Sequence, residues 1–341
     1  MKIAIKDLWK LIAILMVAGL VLMGIGLKLG VGSVYIDGSG LHAASNDTPI
    51  QITEPDLGAI QDIDVAVGYF DVEFKTGERF GLDVTQRGNE PQVQWSVENG
   101  RLRIWQETRA ISINLGLFNN QPSLVTVYVP AGAELNTLNL AVSSGNISLG
   151  DLRAAALHLQ DSYGDVSISN LQGGDIQLGL SSGNLIGRMI SADSIRYTNN
   201  YGDGTWEDIS AGSLSAHVSS GDFILRGGSL DSLAVENSYG DISAAGLRTG
   251  GVDIKSSSGD TSLSGDLLGK TQIDASYGQV KLALAGQKAQ YSYDISTKYG
   301  QIIFDGASIG DHANIQSGNA AANNLKINCS SGDIEVSFDR R

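Results

Sequence analysis

The stretch AVSSGNISLGDL, residues 141–152, is echoed by LQDSYGDVSISNL at 159–171, and the echo decides the fold. Each copy carries a Ser-Gly or Tyr-Gly step, then Asn or Asp, then a short alternating apolar run. The glycines recur at Gly145, Gly164, Gly183, Gly202, Gly221, Gly240, Gly259 and Gly278, every 19 residues, and Gly300 and Gly332 follow at wider intervals. A fixed period near 20 marks a solenoid, in which each coil covers the apolar faces of its neighbours.

Counting from the glycines separates inside from outside. Seven residues before them stand Leu138, Leu157, Ile176, Ile195, Leu214, Leu233 and Val252; five before stand Leu140, Leu159, Leu178, Tyr197, Ala216, Val235 and Ile254. Two and four after come pairs such as Ile147 and Leu149, or Phe223 and Leu225. Spacing of two is the side-chain period of a strand with one buried face. Each coil therefore holds at least two short strands, broken at the glycine and again near segments such as GDLRAA. The predicted fold class is all-β: a β-solenoid of about ten 19-residue coils forming a rod ~50 Å long.

The slot before the glycine alternates Ser144, Tyr163, Ser182, Tyr201, Ser220, Tyr239, Ser258, Tyr277, and then reads Tyr299 and Ser331. By parity it shares the face of the apolar positions, so the column is expected to point inward, large rings filling the room that small hydroxyls leave. Asp161, Asn199 and Asn237, three before the glycine in the Tyr coils, are expected within reach of the Tyr hydroxyls. A 38-residue turn built of two unlike halves would give the same alternation; the 19-residue coil is preferred.

The chain around the repeat divides readily. Leu11 to Leu27 carries no charge, with Lys2, Lys6 and Lys10 before it and Lys28 after it. Seventeen helical residues span ~26 Å, near the thickness of a hydrocarbon core. Residues 1–35 are accordingly expected to be an uncleaved membrane anchor with the N-terminus in the cytoplasm and the bulk outside, a cleaved signal peptide being the rival. Residues 36–50 read as a linker, 51–137 as an N-terminal β region leading into the solenoid, and 138–341 as the repeats, with irregular loops near 285–293 and 306–324. Within 51–137, VQWSVENGRLRIW sets Val93, Trp95 and Val97 against Leu102 and Ile104 across an Asn99-Gly100 turn.

The totals narrow the function. Among 341 residues, 43 Gly stand against five Pro, which suits many short strands joined by tight turns. A net charge of −14 argues against a nucleic-acid partner. The single cysteine, Cys329, excludes an intrachain disulfide and reads as a small buried apolar residue.

The phrases VYIDGSGLH, IDVAVGYFDVEF, VTVYVPAGAELNTLNLAVSSGNISL and the repeated S-[SY]-G-[DN]-[IV]-x-[IL] resemble the bacterial putative-adhesin family across residues 33–341. The resemblance implies a β-solenoid of the cell envelope, often behind one N-terminal membrane helix, and brings no catalytic residue with it.

No candidate site emerges from motif spacing. The residue after each glycine, as in Asn146, Asp165, Asn184, Asp203, Asp222, Asp241, Asp260 and Asp333, could form a Ca²⁺-binding column but reads first as good turn chemistry. Arg153, Arg188, Arg196, Arg226 and Arg248 are scattered over different offsets; His158 and His217 fall at outward positions, His42 and His312 in loops. Catalytic, metal and cofactor residues are therefore expected to be none. The expected function is a non-enzymatic binding or scaffold module of the bacterial envelope, engaging an envelope polymer or protein. Alternatives are an envelope-stress component or spacer, and a carbohydrate-active β-helix enzyme such as a polysaccharide lyase or hydrolase. The irregular loops suit either binding or the capping of the solenoid's end.

Overall fold

The computed structural model describes residues 50–86, 92–106, 123–317 and 321–339, the backbone of 31–37, 40–45 and 111–114, and scattered positions between 12 and 28. About half of the expected anchor at Leu11–Leu27 falls outside the described residues. Among those described, no helix is long and apolar enough to cross a membrane.

In chain order the first strands are β1 (Val31–Asp37), β2 (Gly40–Ser45), β3 (Ile50–Glu54), β4 (Asp62–Val67), β5 (Phe70–Gly77), β6 (Gly81–Gln86), β7 (Val93–Glu98) and β8 (Arg101–Gln106). There follow β9 (Ile111–Asn114), β10 (Ser123–Pro130) and β11 (Glu134–Val142). Seven strands of 17 residues succeed them: β12 (Ile147–Tyr163), β13 (Val166–Ser182), β14 (Leu185–Tyr201), β15 (Gly204–Ser220), β16 (Phe223–Tyr239), β17 (Ile242–Ser258) and β18 (Thr261–Tyr277). The chain closes with β19 (Val280–Leu284), β20 (Tyr291–Tyr299), β21 (Gln301–Phe304), β22 (Ala307–Asp311), β23 (Asn314–Gln316), β24 (Asn323–Ser331) and β25 (Ile334–Phe338).

The long strands stack in parallel at an offset of 19, Leu157 beside Ile176 and Ile176 beside Ile195. Nineteen residues therefore make one coil, not half of one. Burial within a coil runs Ile147, Leu149, then Leu152, Ala154, then Leu157, Leu159 and Asp161. Inside each group the step is two; between groups it is three. Each change of parity is a corner, so the coil has three sides, one more than the minimum read from sequence. One corner lies at the repeat glycine. A second lies six residues later, where Asp151 (φ 54°), Asn170 (φ 52°), Met189 (φ 51°) and Asp208 (φ 55°) adopt the left-handed conformation.

The core is one continuous cluster from Leu57 to Phe338. Volume is exchanged between neighbouring coils around Tyr197 and Trp206. Trp206 packs edge-on to Tyr197, ring centroids 5.4 Å apart, and both are fully buried. Room for them comes from glycine: a Cβ on Gly204 would lie 2.7 Å from the Tyr197 ring, and one on Gly187 would lie 3.0 Å from the Trp206 ring. The large-with-small complementarity expected of the Ser/Tyr column is found here instead.

Two stretches differ from their sequence reading. Residues 36–50, expected as a linker, contain β2 and the end of β1, which pair as an antiparallel hairpin; β9 adds to the other edge of β1. The region 51–137 is built into the solenoid: β4 lies parallel on β11, and β5 lies parallel on β12 and on β10. The hairpin of β7 and β8 has the expected register, Trp95 opposite Ile104 and Val97 opposite Leu102.

The C-terminal coils are out of sequence order. Strand β24 lies between β18 and β20, and β25 lies between β19 and β21, so the last segment of chain slots in beneath the segment that precedes it. The 32-residue interval from Gly300 to Gly332 is the length of that detour. Strands β22 and β23, within the expected 306–324 loop, run antiparallel against β21 and β20. At the other end β6 runs antiparallel to β10, β3 to β6, and β7 to β8. Reversed strands thus follow the parallel stack at both ends, which blunts the open edges of the sheet.

The glycine corner tolerates no side chain. Gly183 sits at φ 134°, and a Cβ there would run into the carbonyl oxygen of Gly164 in the coil beneath. Gly183→Ala is expected to cost about 2 kcal/mol or more, whereas Ser181→Ala, two residues away and exposed, should stay within about 0.5 kcal/mol. Denaturant midpoints of the two variants check this.

Candidate functional site: an exposed tyrosine column

The slot before the glycine faces solvent. Tyr163, Tyr201, Tyr239 and Tyr277 are 64–66% exposed, and the expectation that they fill the interior is overturned. The cause is local. The position three before the glycine is buried, but the chain then begins its corner, so the next two residues no longer alternate: Ser162 is half-buried and Tyr163 is out. Parity cannot be carried through a turn.

Strand register puts these residues in one column. Tyr163 pairs with Ser182, Ser182 with Tyr201, and so on to Ser258 with Tyr277. Tyr277 then pairs with Ser331, and Ser331 with Tyr299. At the other end the Ser144 amide donates to the Gly68 carbonyl, placing Ser144 beside Tyr69. The column reads Tyr69, Ser144, Tyr163, Ser182, Tyr201, Ser220, Tyr239, Ser258, Tyr277, Ser331, Tyr299. Tyrosine and serine alternate without a break, and Tyr69 and Tyr299 are as exposed as the rest. At ~4.8 Å per coil the rings stand about 10 Å apart.

Beside this column runs the Asp/Asn column, and its role is structural. Asn146 donates its backbone N–H to Asp71 Oδ1 (2.7 Å), Asp165 to Asn146 Oδ1 (3.0 Å), Asn184 to Asp165 Oδ1 (2.8 Å) and Asp203 to Asn184 Oδ1 (2.9 Å). The ladder continues through Asp222, Asp241 and Asp260 to Gln279, each bond 2.7–2.8 Å. Each side chain takes up an amide that the corner leaves without a backbone acceptor. Among the described residues no group of three or more His, Cys, Asp or Glu is placed to hold a metal ion.

Behind the corner lies a third column, three before the glycine. Asn199 Nδ2 donates to the Gly183 carbonyl (2.9 Å), Asn237 Nδ2 to Gly221 (3.0 Å), and Thr297 Oγ1 to Gly332 (3.1 Å). The Cys329 thiol donates to Gly278 (3.5 Å), and burial raises its pKa. Asn199 and Asn237, expected within reach of the column tyrosines, turn inward instead and satisfy glycine carbonyls. Only Asn199 bonds a phenol, that of the core residue Tyr197 (3.0 Å). Asp161 occupies the equivalent position opposite Gly145 but carries no side-chain N–H. It is 3% exposed, and neither carboxyl oxygen has a hydrogen bond of good geometry. Burial pushes its pKa up to about 6, the amides of Tyr163 and Ser162 pulling the other way and Asp165 adding to the rise.

The remaining candidates do not converge. Arg188 and Arg226 flank Glu207 one coil to either side (2.7 and 3.4 Å), an ion-pair ladder on the outer face that lowers the Glu207 pKa. Arg153 faces Glu134 (3.8 Å), and His217 faces Glu236 (3.5 Å). His312, in the turn between β22 and β23, stacks edge-on to Tyr299 (5.7 Å).

The architecture defines a β-solenoid with a periodic aromatic edge. A family model described as Toastrack DUF4097 matches residues 60–187 and 175–337. The chain belongs to this family. Among solved structures it is similar to a putative adhesin from Parabacteroides distasonis ATCC 8503, with 15% identity, TM-score 0.47, and coverage of 70% of this chain and 98% of that one. A putative adhesin from Parabacteroides merdae ATCC 43184 gives 14%, 0.46, and 70% and 97%. A putative lipid binding protein from Parabacteroides distasonis ATCC 8503 gives 17%, 0.44, and 85% and 98%. With TM-scores below 0.5, these likenesses carry no functional weight. A comparison with curated proteins finds no match.

Asp161 yields a pH prediction. Its pKa in the fold lies above the ordinary 3.8, so folding favours the protonated form. That contribution is full below about pH 4 and is lost as pH rises through about 6. Asp161→Asn, which copies Asn199 and Asn237, is expected to raise stability by roughly 1–3 kcal/mol at pH 8 and by much less at pH 4. Denaturant unfolding at the two pH values checks it.

Proposed function

We propose that this protein is a non-enzymatic binding module of the bacterial cell envelope, held to the cytoplasmic membrane by its N-terminal apolar segment with the solenoid outside. The observation that carries the reading is the column of six tyrosines, each about two-thirds exposed on a rigid stack. Tyr is among the residues enriched at binding surfaces, and here it recurs along one edge of the stack. The partner is an envelope polymer or protein that lies along the stack. No nucleic acid suits an edge lined with carboxylates.

The triple variant Tyr163→Ser, Tyr201→Ser, Tyr239→Ser copies residues already tolerated at alternate rungs, so its fold and melting temperature should hold. Retention of the full-length protein on isolated envelope material should fall about tenfold or more. Unchanged retention would transfer the function to a spacer or stress-sensing role. Separately, protease added to intact spheroplasts should digest residues 50–341 if the anchor assignment holds.

A further inference from the structure

We propose that the tyrosine column reads a linear, β-linked polysaccharide bearing free amino groups, laid along the stack with every second sugar against a ring. This rests on the reading of the column as a binding surface and names its ligand.

The first argument is that the alternation follows space, not sequence. Along the chain, Tyr277 is followed by Tyr299 and then Ser331, which breaks the pattern. The inserted order of the last coils restores it, because Ser331 lies between the two tyrosines. Tyr69 extends it at the other end, 75 residues before Ser144 and outside the 19-residue register. Simple duplication of a 38-residue unit accounts for neither end. The fold does not require it either, since serine fits at alternate rungs of the same corner. What is kept constant is a ring every two coils, about 10 Å, along one edge.

A ligand matched to that edge is itself linear and periodic. In an extended β-1,4-linked chain alternate sugars turn the same face to one side, with a repeat of two sugars on the same scale as two coils. A tyrosine ring offers a flat apolar face to sugar C–H groups and an electron-rich face to a cation.

Charge selects the kind of sugar. From two residues before the glycine to one after, across all eleven rungs, Lys298 is the only basic residue. Beside the tyrosines stand Asp71, Asp165, Asp203, Asp222, Asp241, Asp260 and Asp333, and Asp165, Asp203, Asp241 and Asp260 remain exposed while one oxygen of each takes a neighbouring amide. This edge repels polyanions and complements protonated amines.

The test uses the full-length chain in detergent with chitosan oligosaccharides, fully N-acetylated chitin oligosaccharides, polygalacturonate and polylysine, read by calorimetry. Chitosan should bind more tightly than chitin, and polygalacturonate should not bind. Each Tyr→Ser substitution should weaken chitosan binding about two- to fivefold. The paired change Ser182→Tyr with Tyr201→Ser keeps six rings but shifts one by a coil, and it should lose as much as removing a ring. Binding of polylysine as tight as chitosan, wild-type affinity in the shifted variant, or chitin equal to chitosan would each overturn the proposal. If chitosan fails to bind while envelope retention still depends on the tyrosines, the ligand assignment falls and the binding surface stands.

Discussion

The structure depends on closing hydrogen bonds where each coil turns at its glycine. Along the three sides the parallel ladder satisfies the backbone automatically. At the glycine corner it does not, because the chain changes direction and its peptide groups tilt away from the register. Three devices meet there. The glycine N–H donates to the next coil, as Gly183 does to the Tyr201 carbonyl (2.9 Å). The following N–H is taken by the Asp or Asn side chain one coil below, and several glycine carbonyls by a donor three residues before the glycine in the coil above. Only glycine lets successive backbones lie this close.

This arrangement explains which columns are free to vary. The position after the glycine must offer an acceptor of short reach, so it is Asp or Asn through most of the stack. The position three before it must be apolar or carry a donor, and Asp161 is the exception, charged above pH 6 where its counterparts offer an N–H or O–H. The side chain just before the glycine joins neither the side-chain ladder nor the core. The fold leaves it free to vary, and it is where the aromatic residues stand.

Much of this was legible in the sequence. Nineteen-residue spacing of Gly145 to Gly278 gave the coil, period-two apolar pairs such as Ile147 and Leu149 gave its inner face, and Asn99-Gly100 gave the hairpin register. Alternation puts Tyr163 on the inner face, whereas it is exposed, because alternation counts residues along a strand and has no meaning across a corner. The small residues at Ser162 and Ser181 were the available hint that the turn had already begun. The exchanged order of the last coils was also encoded, in the consecutive Tyr277 and Tyr299 followed by Ser331. Read as a rule about spatial neighbours, the break in alternation predicts the insertion of β24 between β18 and β20. What could not be read was the first rung, since Phe70 stands where the other rungs carry glycine and hides Tyr69 from the repeat.

A solenoid is a suitable frame for many weak contacts. One exposed aromatic ring contributes little, roughly 0.5–1 kcal/mol against a cation or a sugar face. Rings on flexible loops would each lose conformational freedom on binding, and the gain would be spent on ordering them. Here the backbone under the rings from Tyr163 to Tyr277 is fixed by hydrogen bonds to the coils above and below, so the spacing is set before the partner arrives. Once one repeat of a periodic chain is bound, the next is already opposite its ring at high effective concentration. The same rigidity makes the edge selective, because a partner of another period drifts out of register within a few coils. Stability of the stack and discrimination by its edge therefore share one cause, the closed hydrogen bonding of the glycine corner.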